Sequence, residues 1–266
     1  VANYPVKLRS RATNGLTLLD YENKKDYRIL ISCADKITYN YEISGKEVQG
    51  WMKPRSSEIV TRPVEHLAAG KTDYIIITDS RGELRIVDRR GMPRISPRGE
   101  LRKSKHAAFY INQTNSKGVL LTTERTGRLL YVSAAGLLST TDFGTYSEDH
   151  FFLYEDFTQN RSRDFIYLDG STLQIFDRFK KSQFNYSFKN PIHTAPLFFN
   201  IKPGKRLLGV VDEIAREIYL IDKDGKITIG SGLQGATPFA VGSLRSNDEI
   251  NLLTGLEDQL INYQIY

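Results

Sequence analysis

The stretch GLTLLDYENKKDYRILISCADKITYNYEISGKEVQGW, Gly15 to Trp51, decides the reading of the whole chain. It holds four short runs at residues 16–20, 27–33, 37–43 and 46–51, the first three rich in Leu, Ile and Tyr and the fourth carrying Val48 and Trp51. Asn, Asp, Lys and Gly separate them. Such runs between turn formers predict hairpin-linked strands. The third run alternates its side chains, and Ser44-Gly45 leads into the fourth as a hairpin turn. Glycine suits that turn because hairpin turns require a positive φ.

The same phrase recurs along the chain. The second run returns as DYIIITD (73–79), GVLLTTE (118–124), DFIYLD (164–169), RLLGVVD (206–212) and EINLLTG (249–255). The third returns as LRIVD (84–88), LLYVS (129–133), LQIFD (173–177), IYLID (218–222) and LINYQIY (260–266). Turn glycines recur at Gly45, Gly91, Gly136 and Gly225, and the unit between the last two has Lys181 there. Asp222-Lys223-Asp224-Gly225 reads as a type I′ hairpin turn. A period near 44 residues with four strands per unit predicts an all-β, six-bladed β-propeller of four-stranded antiparallel blades, one domain over residues 1–266. The last unit stops after its third strand. The segment from Pro5 to Ser10 is therefore expected to complete the last blade and close the ring.

Composition agrees. The chain has 266 residues, 40% hydrophobic and 26% charged, with 15 Tyr and 13 Phe, an excess that favours strands. Its mean hydropathy is −0.39. One cysteine, Cys33, excludes an internal disulfide and any multi-cysteine zinc site; in its apolar run it reads as a small buried hydrophobe. No apolar run is long enough to span a membrane. Val1 opens the chain without a signal-peptide pattern. The expectation is a processed or truncated piece of a longer, bacterial-type protein, with a secreted or periplasmic location.

The pattern resembles the broad WD40, YVTN and quinoprotein-like propeller superfamily over essentially the whole chain. The resemblance is to architecture and to no one functional family. Trp-Asp endings, sialidase boxes and paired kelch glycines are all missing, and Trp51 is the single tryptophan.

Two registers of polar residues follow the period. His66, His106, His150 and His193 each stand near the start of a unit, at intervals of 40, 44 and 43. Asp35, Asp79, Glu124, Asp169, Asp212 and Glu257 follow the second strands. In an up-and-down blade these two loops share one face. The resemblance to WD40 propellers implies histidine–acid hydrogen bonds that fix each blade. The sharper alternative is a rim of imidazoles that binds a ligand at the channel mouth.

Charge supplies another candidate. Net charge is +6, but residues 1–133 carry an excess of ten positive charges and residues 134–266 an excess of four negative ones. The densest basic stretch holds Arg89, Arg90, Arg94, Arg98, Arg102, Lys103 and Lys105. Such a field attracts polyanions. No aromatics interleave with these charges, so nucleic acid is not favoured. Asp156, Asn160 and Asp164 space oxygens along one loop in a weak likeness to calcium loops, although Arg161 and Arg163 intrude. Aromatics on third strands, such as Tyr39, Tyr131 and Tyr219, suit packing between blades.

These readings favour a non-enzymatic binding or scaffold propeller without a cofactor, docking a protein or glycan on one face. The alternatives are a metal- or histidine-dependent lyase or hydrolase at the rim, and a binder of acidic glycan or nucleic acid along the basic edge.

Overall fold

A computed structural model describes residues 4–99, 101–112, 114, 117–202, 204–229, 232–245 and 249–265. Among them there is no helix, and every named strand pairs antiparallel. The chain divides into two compact units.

The first unit contains Val1–Lys103, Ala108–Glu124 and Leu129–Thr141. Its first sheet runs β1 (Thr17–Leu19), β2 (Arg28–Ser32) and β3 (Thr38–Glu42). The second runs β4 (Glu65–Ala69), β5 (Thr72–Thr78), β6 (Leu84–Val87) and β7 (Pro93–Ile95). The third runs β8 (Tyr110–Ile111), β9 (Leu120–Thr123), β10 (Leu129–Val132) and β11 (Leu138–Thr141).

The second unit holds Ser104–Ala107, Arg125–Arg128 and Asp142–Tyr266. Its fourth sheet runs β12 (Phe151–Glu155), β13 (Asp164–Asp169), β14 (Thr172–Phe176) and β15 (Ser182–Ser187). The fifth runs β16 (Leu197–Lys202), β17 (Lys205–Asp212), β18 (Glu217–Ile221) and β19 (Ile227–Ile229). The sixth has β20 (Ala240–Gly242), β21 (Asn251–Leu256) and β22 (Gln259–Gln264).

Within each unit, successive sheets pack face to face. Leu19 and Leu30 of the first sheet meet Ile75, Ile77 and Val87 of the second. Tyr74, Ile76 and Ile86 on the opposite face of the second sheet meet Phe109, Leu120 and Val132. In the other unit, Ile166 and Leu173 meet Leu208 and Tyr219, and Leu207 and Ile218 meet Leu252. The second strand of a middle sheet is covered on both sides, which is why β5 reads as an unbroken Tyr-Ile-Ile-Ile run. Burying each of those isoleucines contributes about 1.5–3 kcal/mol.

Turn geometry repeats with the sequence. Gly45, Gly91, Gly136 and Gly225 have φ of 83°, 78°, 81° and 75°. In the fourth sheet the positive φ belongs to Lys180 (66°), one residue before the expected Lys181. These loops differ from the type I′ turn read from composition. At Asp222–Lys226 only Gly225 has positive φ, and Gly225 N–H donates to Asp222 O while Asp222 N–H donates to Lys226 O. That is a three-residue hairpin loop ending in a left-handed residue. Asp88, Asp177 and Asp222 each accept two further main-chain amides across the loop.

Residues 46–51 form no strand of their own. Val48 bonds to Asn40 and Glu47 bridges Tyr41, after which the chain leaves the sheet. Trp51 causes the departure. Its ring is buried between the first and second sheets, and its indole N–H donates to Thr38 O at 2.8 Å. Residues 54–56 then take up the remaining β3 edge. The sixth sheet likewise has three named strands. The segment from Pro5 to Ser10 is not a named strand, and its Val6 and Leu8 pack on Cys33, Tyr39 and Tyr41 of the first sheet.

Candidate functional site

The acidic register does structural work, with partners other than histidine. Asp79 accepts the Glu58 amide at 3.1 Å, Asp169 accepts the Ser147 amide at 2.8 Å and its hydroxyl, and Asp212 accepts from Asn190 Nδ2 on both oxygens at 3.1 Å and from the Ala215 amide at 2.8 Å. Each acid thus ties its turn to the segment that enters the same sheet. Asp35 accepts from the Tyr39 hydroxyl, and Glu257 from Arg216.

The histidines go separate ways. His66 lies within β4 and bonds Asp73 at 2.7 Å, not Asp79. His106 lies 3.5 Å from Asp149 and packs on Phe151. His150 is fully buried, and its Nδ1 lies 2.7 Å from Ser147 O. Burial holds its pKa below the ordinary value, against the pull of that carbonyl. His193 is exposed. Among the described residues no three His, Cys, Asp or Glu side chains gather as a metal set.

At the loop from Asp156 to Asp164, the oxygens face the loop's own amides. Asp156 accepts from Asn160 and Arg161 N–H, Asn160 from Ser162 N–H, and Asp164 Oδ2 from Thr158 N–H and Oγ1. Gln159 and Arg161 adopt positive φ at the same offsets as Asn23 and Lys25 in the loop after Asp20, which has the same amide pattern. Asp164 is fully buried, and its Oδ1 has no hydrogen-bond partner among the described residues. Burial raises its pKa, against the Thr158 bonds. The protonated form is therefore favoured by folding, and stability falls as pH rises through the folded pKa. Asp164→Asn, which mimics the protonated form, is expected to raise stability at pH 7 by about 1 kcal/mol and to have no effect near pH 3. Thermal melts at the two pH values check this. A melt raised by calcium in the wild type alone would instead favour the cation reading.

The densest surface chemistry lies on the second sheet. A groove of 540 Å³ is lined by Glu22, Gly70, Lys71, Asp73, Asp88, Arg89, Arg90 and Arg94. Gly70-Lys71 is the two-residue turn joining β4 to β5. Arg89 and Arg90 sit on the β6–β7 loop, and Arg94 is on β7. Antiparallel pairing brings these tips side by side.

Asp73 anchors the groove wall. It is buried, accepts from Arg89 Nε at 2.5 Å as well as from His66, and the Arg89 guanidinium lies 4.6 Å from the Tyr21 ring centroid. Burial works to raise the Asp73 pKa, but the bonds from Arg89 and His66 outweigh it and hold the carboxyl below its ordinary value. Asp88 is held low in the same balance by the amides of Met92 and Arg90. Glu22 pairs with Lys24 at 2.7 Å. The carboxylates of the groove are thus engaged. Arg90 makes only a loose 3.6 Å pair with Asp88, and exposed Lys71 and Arg94 have no ion pair among the described residues.

The basic stretch does not act as one edge. Arg90, Arg94, Arg98 and Arg102 are exposed, and Lys105 pairs with Asp149 at 3.1 Å. Lys103 is buried at 8% exposure over the Phe109 ring and is withdrawn from the surface. Lys71 was not legible as part of the site, because a lone lysine 18 residues upstream of Arg89 joins it only through strand pairing.

No protein-family model matches this sequence, and no curated protein matches it. Solved structures match its fold. BBS1N in complex with ARL6DN, in a crystal soaked with lead, aligns with TM-score 0.55 and 10% identity over 96% of this chain and 79% of that one. The same complex soaked with mercury gives 0.52 and 10% over 92% and 89%. The chain has a propeller-like fold. BamB from Moraxella catarrhalis aligns with TM-score 0.46 and 12% identity over 95% of this chain and 82% of that one.

Proposed function

We propose that this chain is a non-enzymatic, protein-binding six-bladed propeller that docks an acidic partner on the groove of its second sheet. Lys71 and Arg94, without an ion pair among the described residues, and the loosely paired Arg90, beside engaged carboxylates, carry the reading. The propeller-like fold supports it, since the BBS1N structure was solved as a complex with ARL6DN. Closure of the ring by the segment from Pro5 to Ser10, as the outer strand of the last blade, belongs to the same proposal.

Exposed charges at a docking rim act mainly on association rate and salt dependence. The test is retention on immobilised poly-glutamate against rising salt. Wild type is expected to elute late, and Lys71→Glu/Arg90→Glu/Arg94→Glu to flow through while keeping its thermal melt. Equal elution of the two proteins would overturn the proposal. Retention on heparin but not on poly-glutamate would favour an acidic glycan instead.

A further inference from the structure

Met52 and Met92 are the only methionines of the chain, and both are exposed, at 61% and 41%. The fold sets their backbones together. Met52 N–H donates to Arg90 O at 2.8 Å, and Met92 stands two residues after Arg90, directly before β7. Gly91 itself abuts this segment so closely that an added Cβ would meet Pro54 and the Trp51 ring at 3.2 Å. Trp51 is the anchor: its ring is locked in the core, and the next side chain is presented to solvent.

Single exposed apolar residues are ordinary and need no account. Two exposed, unbranched thioethers whose backbones meet at one cationic turn are a different matter. Methionine is polarizable and has several rotatable bonds, so it adapts to varied apolar partners. The adjoining charges select the sign of the partner. Arg89 is spent on Asp73, Glu22 on Lys24, and Asp88 on main-chain amides, which leaves Lys71 and Arg94 without an ion pair among the described residues and Arg90 only loosely paired at 3.6 Å, so the three can face an anion.

We propose that this groove, together with exposed Met52 and Met92 beside its β6–β7 turn, recognises an amphipathic acidic peptide segment of a protein partner. Its carboxylates sit on Lys71, Arg90 and Arg94, and its apolar face rests on Met52 and Met92. This rests on the protein-binding reading above and specifies what that partner presents. A bare polyanion has no use for the methionines, and a purely apolar ligand has no use for the cations.

The test uses two fluorescein-labelled peptides of equal length, read by anisotropy. One is a helix former with leucines on one face and glutamates on the other; the second is poly-glutamate. The amphipathic peptide is expected to bind roughly tenfold tighter than poly-glutamate. Met52→Gln/Met92→Gln is expected to remove that advantage and leave poly-glutamate binding unchanged. Arg90→Glu/Arg94→Glu is expected to weaken both. Both methionines are exposed, so the glutamine variant should melt as the wild type does. Equal affinity for the two peptides, or an unchanged preference in the methionine variant, would overturn the inference. If poly-glutamate binding then persisted, the broader acidic-partner reading would still stand. Loss of both peptides from the wild type would remove both readings.

Discussion

Glu65→Ala is expected to destabilise the protein by about 1–3 kcal/mol, the cost of leaving a buried amide without its acceptor. Glu65 opens β4 and accepts the Phe109 amide at 2.6 Å. It also faces Lys103, whose ammonium is buried above the Phe109 ring, and Arg62. Burial pushes the Lys103 pKa down to about 8; Glu65 opposes that fall and Arg62 adds to it. Burial likewise raises Glu65, against the pull of Lys103, the Phe109 amide and Arg62. Removing Glu65 takes away a negative charge that favours the Lys103 ammonium and orphans the Phe109 amide. The linkage has a definite sign. Because the folded pKa of Lys103 lies below the ordinary lysine value, the unfolded chain binds more protons between about pH 8 and pH 10.5. Stability contributed by Lys103 therefore rises with pH across that window. In Glu65→Ala the folded pKa falls further, so the loss measured at pH 9.5 should be smaller than at pH 7. Denaturant unfolding at both pH values checks this. Glu65→Ala/Lys103→Met should recover part of the loss. A cost under about 1 kcal/mol at pH 7, with no pH dependence, would show that the pair contributes nothing net.

Gly136→Ala is expected to cost about 3 kcal/mol, and Gly70→Ala about 1 kcal/mol. Both glycines have positive φ, 81° and 59°, so each variant bears the same backbone penalty. Their surroundings differ. A Cβ at Gly70 meets nothing within 4 Å, whereas at Gly136 it would overlap the Ser96 carbonyl oxygen. That carbonyl cannot easily retreat, because Arg98 N–H donates to Gly136 O at 2.8 Å and holds the two segments together. Gly136 closes the β10–β11 loop, and residues 96–98 lead out of the second sheet, so the contact couples two sheets. Thermal melting of the two variants separates close approach from turn conformation. Equal costs would show that the Ser96 segment yields.

Much of the fold was legible because its determinants are local. A left-handed residue is required at each three-residue hairpin loop, and glycine marks it at Gly45, Gly91, Gly136 and Gly225. Where the loop uses Lys180, the composition signal slipped by one residue, since nothing in Lys180-Lys181 distinguishes the two positions. The acidic register was legible for the same reason: Asp79, Asp169 and Asp212 each serve a turn. Their partners were not. A histidine at the right spacing is one donor among several, and the structure uses the Glu58 amide, Ser147 and Asn190 instead. Trp51 shows a further limit. Its run continues a strand pattern, but burial of the indole between two sheets outweighs a few ladder bonds and draws the chain off the edge.

The candidate site follows the same division. Local chemistry in the sequence determined where strands begin, where loops turn and which side chains carry charge. It could not distinguish Lys103 from Arg102, since neighbouring cations in one basic stretch read alike. Stacking of the sheets decided that Lys103 is buried against Phe109 and that Arg102 is exposed. Pairing of β4 with β5 and β5 with β6 brought Lys71 beside Arg90, and anchoring of Trp51 set the Met52 backbone against the turn that leads into Met92. The contacts of Lys71 and Met52 with the β6–β7 turn join residues some 20 to 40 positions apart, and which of them form depends on which faces find enough apolar surface to cover.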